Sequence, residues 1–281
     1  MKYIEILNDY SKKKEFKYAL FSDMHIDAKH CQRELLKKNL DYCYENYDGI
    51  FLNGDTFSCL LPKDLKRFTL AHAFCEEDNI LDKIIDYVTD LLAPYADKIL
   101  FIGMGNHESS VLKFHGTNPA DRLRRQLKEH DGKAVFGDYQ NVIRFKFHHG
   151  ENSRIRTYDM WTCHGRGSGA KRSRGSLEWD IDYAYYGARL YWKGHNHMGE
   201  IDQTGSYTYV NRAGEFVTEP KKGIRTPAWE EPVSIRDTNA PYDIKYGEER
   251  HGIPTALPAF GLLELNPIGD TVKDQISLKC I

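Results

Sequence analysis

Residues 18–25 read YALFSDMH, a short apolar run that leads directly into Asp23. The pattern repeats at residues 49–55, GIFLNGD, where the apolar run ends close to Asp55. Short apolar runs of this kind predict buried strands, so both carboxylates are expected where a strand ends. Between the two runs, residues 31–47 place apolar side chains at helical spacing, with charge on the remaining face. The segment therefore predicts a strand, helix, strand unit.

The same unit recurs further along the chain. A long helical region covers residues 64–92, and Pro94 lies just beyond it, where a helix is expected to have ended. Residues 98–103 then repeat the short apolar run, and Gly105-Asn106-His107 follows at its end. Another helix is predicted over residues 119–130, because leucines recur there on one helical face.

The second half of the chain consists mainly of strand-like runs. Apolar and polar residues alternate in several of them, as they do in half-exposed strands. The runs cover residues 142–147, 155–158, 189–192, 207–210 and 260–265. Strand–helix units followed by mainly strands predict a layered α/β sandwich.

Composition describes an ordinary globular protein of balanced charge, with 39 Lys and Arg against 41 Asp and Glu. A chain of 281 residues can bury a sizeable core. The near-zero net charge removes any global argument for a polyanionic partner and leaves only a local basic patch. No apolar run reaches the roughly 18 residues that span a bilayer, and the start is polar rather than signal-like. We therefore expect a cytoplasmic protein without a membrane partner.

The sequence predicts a single domain over residues 17–281, preceded by an N-terminal extension of residues 1–16. Residues at about 219–258 hold six prolines and many charges with little periodicity, which predicts an irregular excursion from that domain. The six cysteines are scattered singly, without a C-x-x-C pair that would indicate a zinc ribbon or a redox motif. They are interpreted as free buried thiols.

Five short fragments carry oxygen and imidazole donors, most of them directly after an apolar run. They are Asp23-Met24-His25, Gly54-Asp55, Gly105-Asn106-His107-Glu108, His164-Gly165 and Gly194-His195-Asn196-His197. Taken singly, each fragment is more often a turn, a cap or a satisfied histidine. Hard and borderline divalent ions prefer such donors to thiolates, and a carboxylate has two oxygens that can bridge two ions. Their joint occurrence therefore predicts a dinuclear metal centre.

The order D-x-H, G-D, G-N-H-E, H-G, G-H-x-H resembles that of the calcineurin-like metallophosphoesterase superfamily, and the resemblance spans residues 23–197. It implies a four-layer α/β/β/α sandwich of two mixed sheets flanked by helices. It also implies two groups of metal ligands that share one carboxylate. One group is Asp23, His25, Asp55 and His197, and the other is Asp55, Asn106, His164 and His195.

The resemblance gives His107 a separate role near the substrate phosphate, as the catalytic residue that stabilises developing charge or protonates the leaving alkoxide. Glu108 either orients His107 or is a solvated or helix-capping carboxylate. One departure is visible: many family members continue the second block as G-D-x-x-D/N-R, whereas this chain has Gly54-Asp55-Thr56-Phe57-Ser58-Cys59. The proposed metal ligands lie outside the changed positions. The carboxylate or amide and the arginine usually found in this loop are absent, so its support and its substrate contacts are expected to differ.

The resemblance implies a hydrolase that cleaves a phosphomonoester or phosphodiester by attack of a metal-bridging hydroxide. Manganese is the first expectation for the two divalent ions, with iron and zinc close behind. Nucleic acids, nucleotides and cyclic phosphodiesters are all compatible as substrates, and no obligate protein partner is indicated. The competing hypothesis is a non-catalytic member of the family that binds a protein partner as a scaffold. A redox metalloenzyme is a weaker alternative, because the donor set suits two ions.

Two further stretches bear on the substrate. Residues 165–175 join glycines to cations, which predicts either a clamp for a phosphate backbone or a solvated loop. The cations proposed to bind substrate are Arg166, Lys171, Arg172 and Arg174. Residues 179–186 are rich in aromatic side chains, which either stack on bases or face the core.

Overall fold

Two six-stranded sheets form the centre of the part of the protein that the structure describes. The computed structural model describes residues 1–11, 13–59, 79–150, 155–166, 176–211, 213–230, 256–269 and 271–281. The first sheet holds, from edge to edge, β1 (Lys2–Asp9), β6 (Gln140–His148), β7 (Arg156–Cys163), β8 (Leu190–Lys193), β10 (Phe216–Arg225) and β9 (Glu200–Val210). The second holds β12 (Thr271–Lys279), β11 (Phe260–Ile268), β2 (Phe16–Phe21), β3 (Gly49–Leu52), β4 (Ile99–Ile102) and β5 (Val135–Phe136).

Both sheets are mixed. In the second sheet β2, β3, β4 and β5 run parallel, while β11 is antiparallel to β2 and to β12. In the first sheet β7, β8 and β10 are parallel neighbours, β1 is parallel to β6, and the pairs β6–β7 and β10–β9 are antiparallel. Parallel pairing of β2, β3 and β4 brings their carboxyl ends to one edge of the sheet.

Helices cover the outer faces of both sheets. They are α1 (Arg33–Asn46), α2 (Ile80–Leu92), α3 (Asn106–His115), α4 (Pro119–Leu127) and α5 (Ser176–Tyr185). Apolar side chains of α1, α2 and α4 pack with Ala19 and Phe21 of β2, whereas α5 packs Trp179 and Tyr183 against Trp161 of β7. In the described part of the chain, no helix is both long and apolar enough to cross a membrane.

The core between the sheets follows from the alternation of side chains along each strand. In β2, Tyr18 and Leu20 point to the other sheet, where they pack with Phe145 of β6 and with Trp192 of β8. Their neighbours on the strand point to the helices instead, so the strand is buried on both faces. The predicted α/β/β/α sandwich of two mixed sheets is thus confirmed.

The predicted helices are found where the structure describes them. The helix predicted over residues 31–47 is α1, and that over residues 119–130 is α4 with a 3₁₀ turn at Lys128–His130. The region of residues 64–92 contains α2, while residues 60–78 lie outside the described residues. Helix α3 was not predicted, although it begins inside the third metal-ligand motif.

The segment of residues 1–16, predicted to be an N-terminal extension, contains β1 at the edge of the first sheet. β1 pairs in parallel with β6 over its whole length. Ile4 is buried between the sheets, whereas Tyr3 and Leu7 are exposed on the outer face. Because apolar residues lie on both faces of β1, the alternation that marks a half-buried strand is hidden in the sequence.

The first residues of the segment at about 219–258, which was predicted to be an irregular excursion, belong to a strand. Residues up to Arg225 continue β10, which pairs in parallel with β8 from Lys222 onwards. Pro220 precedes that pairing and has a strand on only one side, β9, which is the kind of position where a sheet tolerates proline. Residues 231–255 lie outside the described residues.

Candidate metal centre

The donor residues of all five motifs come shortly after strands, in loops or, for Asn106, at the first residue of α3. Asp23 follows β2, Asp55 follows β3 and Asn106 follows β4, all at the carboxyl edge of the second sheet. His164 follows β7 and His195 follows β8, at the carboxyl edge of the first sheet. The two edges meet, because Nδ1 of His164 lies 2.8 Å from the backbone oxygen of Asn53. Loops far apart in sequence therefore converge on one site.

The convergence brings together all seven side chains that were predicted to be metal ligands. Three groups each have donor atoms within 4.8 Å of one another: Asp23, His25 and His197; Asp55, His164 and His195; and His25, Asp55 and His107. Asn106 completes the set, since its Oδ1 lies 2.7 Å from Nδ1 of His195. Asp55 belongs to two of the groups, so its carboxylate lies next to both proposed ligand sets.

The charges at the centre suit a cation. Both carboxylates are buried, with Asp23 0 % and Asp55 1 % exposed. Burial disfavours a charged His164, but Asp55 and Asp23 outweigh it and raise the pKa of His164 to about 10. Nε2 of His164 lies 3.0 Å from Asp55 Oδ2 and 3.7 Å from Asp23 Oδ1. The two carboxylates therefore favour positive charge between them, either a protonated imidazole or a metal ion.

His25 supplies an independent test of whether a metal fits. Burial lowers the pKa of its imidazole to about 4, so the ring is neutral and offers a lone pair. Its Nδ1 lies 3.2 Å from the hydroxyl of Ser58. Its Nε2 is buried and has no hydrogen-bond partner within the described residues, an arrangement that costs free energy unless another group satisfies the nitrogen. A divalent cation would satisfy it, and the surrounding oxygen and imidazole donors fit such an ion.

The backbone is strained at the same positions. Asp23, His25, Asp55, His195 and His197 have φ values of 50°, 44°, 47°, 70° and 54°. This left-handed region is uncommon for residues other than glycine. Such strain persists only where the surrounding structure imposes it, and it is concentrated at functional sites. The strained residues here are five of the predicted ligands.

The glycines of the motifs leave room for the carboxylates. A Cβ on Gly105 would lie 2.1 Å from Oδ1 of Asp55, and one on Gly194 would lie 2.2 Å from Oδ2 of Asp23. Real Cβ atoms do not approach other atoms so closely. The pairing of glycine with a donor residue in these motifs is therefore a packing requirement.

His107 lies beside the carboxylate shared by the two ligand sets. Its Nδ1 is 2.6 Å from the backbone oxygen of Ser58, and its Nε2 is 3.9 Å from Oδ2 of Asp55. The backbone N–H of His107 donates to Oδ1 of the same aspartate at 3.0 Å. The carbonyl of Ser58, and not the side chain of Glu108, thus orients the imidazole.

Glu108 is a buried capping carboxylate. It accepts hydrogen bonds from the backbone N–H groups of Gly105, Asp55 and Phe57 at 2.8, 3.0 and 3.2 Å. Burial raises its pKa to about 7. Of the two sequence-based alternatives, capping agrees with these contacts, and the carboxylate also ties the loop of Asp55 to the start of α3.

The loop of residues 56–59 is held by a side chain that was not predicted from the sequence. Asp27 is buried and accepts hydrogen bonds from the backbone N–H groups of Ser58 at 2.6 Å and Cys59 at 2.9 Å. Asp27 thus supports this loop from the segment after the first motif. No motif in the sequence signalled that contact.

Glu230 is a second residue that sequence reasoning missed. It lies outside every motif, in the segment that follows β10, and it is buried. Its Oε2 is 3.2 Å from Nδ1 of His197, and its Oε1 is 2.8 Å from Nε2 of His30. Burial disfavours a charged His197, but Glu230 outweighs it and raises the pKa of that histidine to about 9.

The residues predicted to bind substrate are only partly described. Arg166 is half-exposed and forms an ion pair with the buried carboxylate of Asp182 in α5. Lys171, Arg172 and Arg174 lie outside the described residues.

The aromatic side chains of α5 are divided between core and surface. Trp179 and Tyr183 are buried in the cluster under the first sheet, which agrees with the core interpretation, and Tyr185 is exposed.

The structure consists of two mixed sheets flanked by helices, with Asp and His donors where the carboxyl edges of the sheets meet. No protein-family model matches the chain, and no curated protein matches it.

The solved structures that match the chain have low sequence identity to it. The phosphoesterase Yfce from E. coli is 11% identical with a TM-score of 0.38, over 92% of this chain and 98% of that chain. Vps29 from Entamoeba histolytica, complexed with zinc, is 11% identical with a TM-score of 0.37, over 94% and 99%. GAP50, the anchor in the inner membrane complex of Plasmodium, is 11% identical with a TM-score of 0.44, over 95% and 85%. At such similarity these structures say nothing about the activity of this chain.

Proposed function

We propose that this protein is a metal-dependent phosphoesterase that hydrolyses a phosphomonoester or phosphodiester. The observation that carries the proposal is the position of Asp55. Its donor atom lies within 4.8 Å of those of His164 and His195 in one group, and of His25 and His107 in another. A buried carboxylate shared by two sets of imidazoles suits a pair of divalent ions.

The chemistry divides between the cations and the side chains. Bound divalent cations would polarise phosphoryl oxygens and lower the pKa of water at the site. His107 contributes Nε2, since Nδ1 is held by the carbonyl of Ser58. From that position the imidazole stabilises negative charge on the phosphoryl group or donates a proton to the leaving oxygen. Asp23, Asp55 and the remaining histidines hold the cations.

Manganese is the proposed metal, with iron and zinc as alternatives, because the donors are mixed oxygen and nitrogen. The proposed substrates include nucleic acid and nucleotides. Arg166, Lys171, Arg172 and Arg174 are proposed to contact the phosphate backbone, and Arg166 would do so beside its ion pair with Asp182. The proposed location is the cytoplasm.

The test is hydrolysis of bis(p-nitrophenyl) phosphate and p-nitrophenyl phosphate by the manganese-loaded protein. We expect turnover of at least one of the two, and a loss of roughly 10²-fold or more in Asp55→Asn, since several kcal/mol of transition-state stabilisation depend on the cations. The matched control is Asp159→Asn, which removes a carboxylate paired with Arg144 on the outer face of β7. Absence of turnover with the metals occupied, across several substrates, would support the non-catalytic scaffold instead.

A second assay separates the substrate classes. We expect manganese-dependent cleavage of single-stranded DNA that falls when Arg172 and Arg174 are replaced by Ala, because cations on a phosphate backbone contribute to affinity. An unchanged rate in the double variant would remove the reason for proposing nucleic acid, while leaving phosphoester hydrolysis intact.

A further inference from the structure

Backbone contacts hold Glu230 beside the metal centre. Glu230 forms an antiparallel β-bridge with Cys31, and the carbonyl of its neighbour Trp229 accepts a hydrogen bond from the N–H of Gln32 at 2.8 Å. The N–H of Trp229 donates to the backbone oxygen of Asp23 at 3.1 Å. The segment after β10 is thereby tied to the loop that carries the first metal-ligand motif.

Both oxygens of the Glu230 carboxylate are engaged. Oε2 contacts Nδ1 of His197 at 3.2 Å, and Oε1 contacts Nε2 of His30 at 2.8 Å. The Glu230 side chain is 5 % exposed and that of His30 is 32 % exposed. The three residues thus form a row from the surface to the centre, where Nε2 of His197 lies 3.6 Å from Oδ1 of Asp23.

The partner of His197 differs from those of the other imidazoles. Nδ1 of His164 and of His107 face the backbone oxygens of Asn53 and Ser58, at 2.8 and 2.6 Å. Nδ1 of His25 faces a hydroxyl, and Nδ1 of His195 faces an amide oxygen. Among these described contacts, that of His197 is the one made to a carboxylate.

A carboxylate behind a metal-ligating histidine has two effects. It fixes the tautomer with the proton on Nδ1, so that the lone pair of Nε2 points to the metal, and it raises the basicity of the ligand. Residues in such a position typically contribute 10- to 100-fold to metal affinity. Glu230 has the geometry for both effects on His197, and His30 holds its second oxygen.

We propose that Glu230, supported by His30, is a positioning residue for His197, and that it strengthens cation binding selectively at the position formed by Asp23, His25 and His197. The position formed by Asp55, His164 and His195 does not depend on it. This selectivity rests on the metal binding proposed above.

The experiment is calorimetric titration of the full-length, metal-free protein with Mn²⁺, and with Co²⁺ followed by its visible absorption spectrum. We expect Glu230→Ala to lower the affinity for one of the two cation equivalents by about 10- to 100-fold and to leave the affinity for the other unchanged. Glu230→Gln keeps an acceptor for Nδ1 and is expected to recover part of the affinity. His30→Ala is expected to give a smaller loss at the same equivalent. Compared with the wild type, the visible absorption spectrum should differ only during the binding of that Co²⁺ equivalent.

The matched control is Glu264→Gln, a carboxylate of β11 whose ion-pair partner is Lys17. This variant should leave the affinities for both cation equivalents unchanged. If Glu230→Ala does not fold, as judged by circular dichroism, Glu230→Gln and His30→Ala decide the matter. Unchanged affinities in the folded variants, or equal losses at both equivalents, would overturn the role of Glu230.

Failure of this inference differs from failure of the proposed function. If the wild-type protein binds no divalent cation, both the proposed function and the role of Glu230 are wrong. A wild-type protein that binds two cations and hydrolyses phosphoesters, with Glu230 variants of unchanged affinity, would remove only the positioning role.

Discussion

Nδ1 of His107 lies 2.6 Å from the backbone carbonyl oxygen of Ser58. A carbonyl oxygen only accepts hydrogen bonds, so Nδ1 carries a proton in this contact. Nε2 is left on the side of Asp55, next to the place where a phosphoryl group would meet the cations. The backbone of the loop after Asp55 therefore sets the direction of the proposed catalytic side chain.

Replacement of His107 by Ala is expected to slow phosphoester hydrolysis by about 10²- to 10⁴-fold, the usual contribution of a positioned acid or base. Both cation equivalents should remain, as measured by calorimetric titration. His130→Ala, in the 3₁₀ turn after α4, is the control for loss of a histidine far from this chemistry. Loss of one cation equivalent in His107→Ala would make this residue a ligand together with His25 and Asp55, whose donor atoms lie beside it.

Asp27 gives a second prediction, because it supports the same loop. Its carboxylate accepts from the N–H groups of Ser58 and Cys59 in a buried position. Asp27→Ala leaves both without that acceptor, which costs about 1–3 kcal/mol for each buried group left unsatisfied. Urea unfolding should show the loss, and Asp27→Asn, which keeps one acceptor oxygen, should show a smaller one. Equal stability of Asp27→Ala and the wild type would mean that the loop is held by other contacts.

Gly105 gives a third prediction, on close packing. A Cβ there would lie 2.1 Å from Oδ1 of Asp55 and 2.4 Å from its backbone nitrogen, so Gly105→Ala must displace the carboxylate or the loop. We expect a loss of about 1–3 kcal/mol in unfolding free energy, as for other overpacked sites, together with weaker metal binding. Gly187→Ala is the matched control, because nothing lies within 4 Å of its added Cβ. A Gly105→Ala protein with unchanged metal affinity would contradict the packing role.

Much of the site could be predicted because its signals are local in sequence. An apolar run followed by Asp23 or Asp55 marks a strand end, and parallel strands bring their ends to one edge. The order of the motifs then identified the side chains that the structure brings together. Gly105 and Gly194 could also be recognised as parts of the motifs. Their role, which is to leave room for a carboxylate, is apparent only from the structure.

The parts that were not predicted depend on long-range contacts. Glu230 contacts His197 because its segment forms a β-bridge with Cys31, which is distant from it in sequence. β1 takes its place through pairing with β6, and its exposed Tyr3 and Leu7 conceal the pattern of a half-buried strand. Local sequence carries neither the partner nor the register of such contacts.

Metal binding gives the last prediction, which concerns stability. Asp23 and Asp55 are buried and both lie near Nε2 of His164, at 3.7 and 3.0 Å. Cations that bind only the folded protein shift the unfolding equilibrium by mass action. Mn²⁺ at about 100 times its dissociation constant should raise the unfolding free energy by about 2.7 kcal/mol for each independent site, and EDTA should reverse the gain. Thermal unfolding with and without Mn²⁺ measures it. Asp55→Asn should lose most of the gain because its carboxylate is shared by the two ligand sets, while Asp159→Asn should keep it. An equal Mn²⁺ response in wild type and Asp55→Asn would place the bound cations elsewhere on the protein.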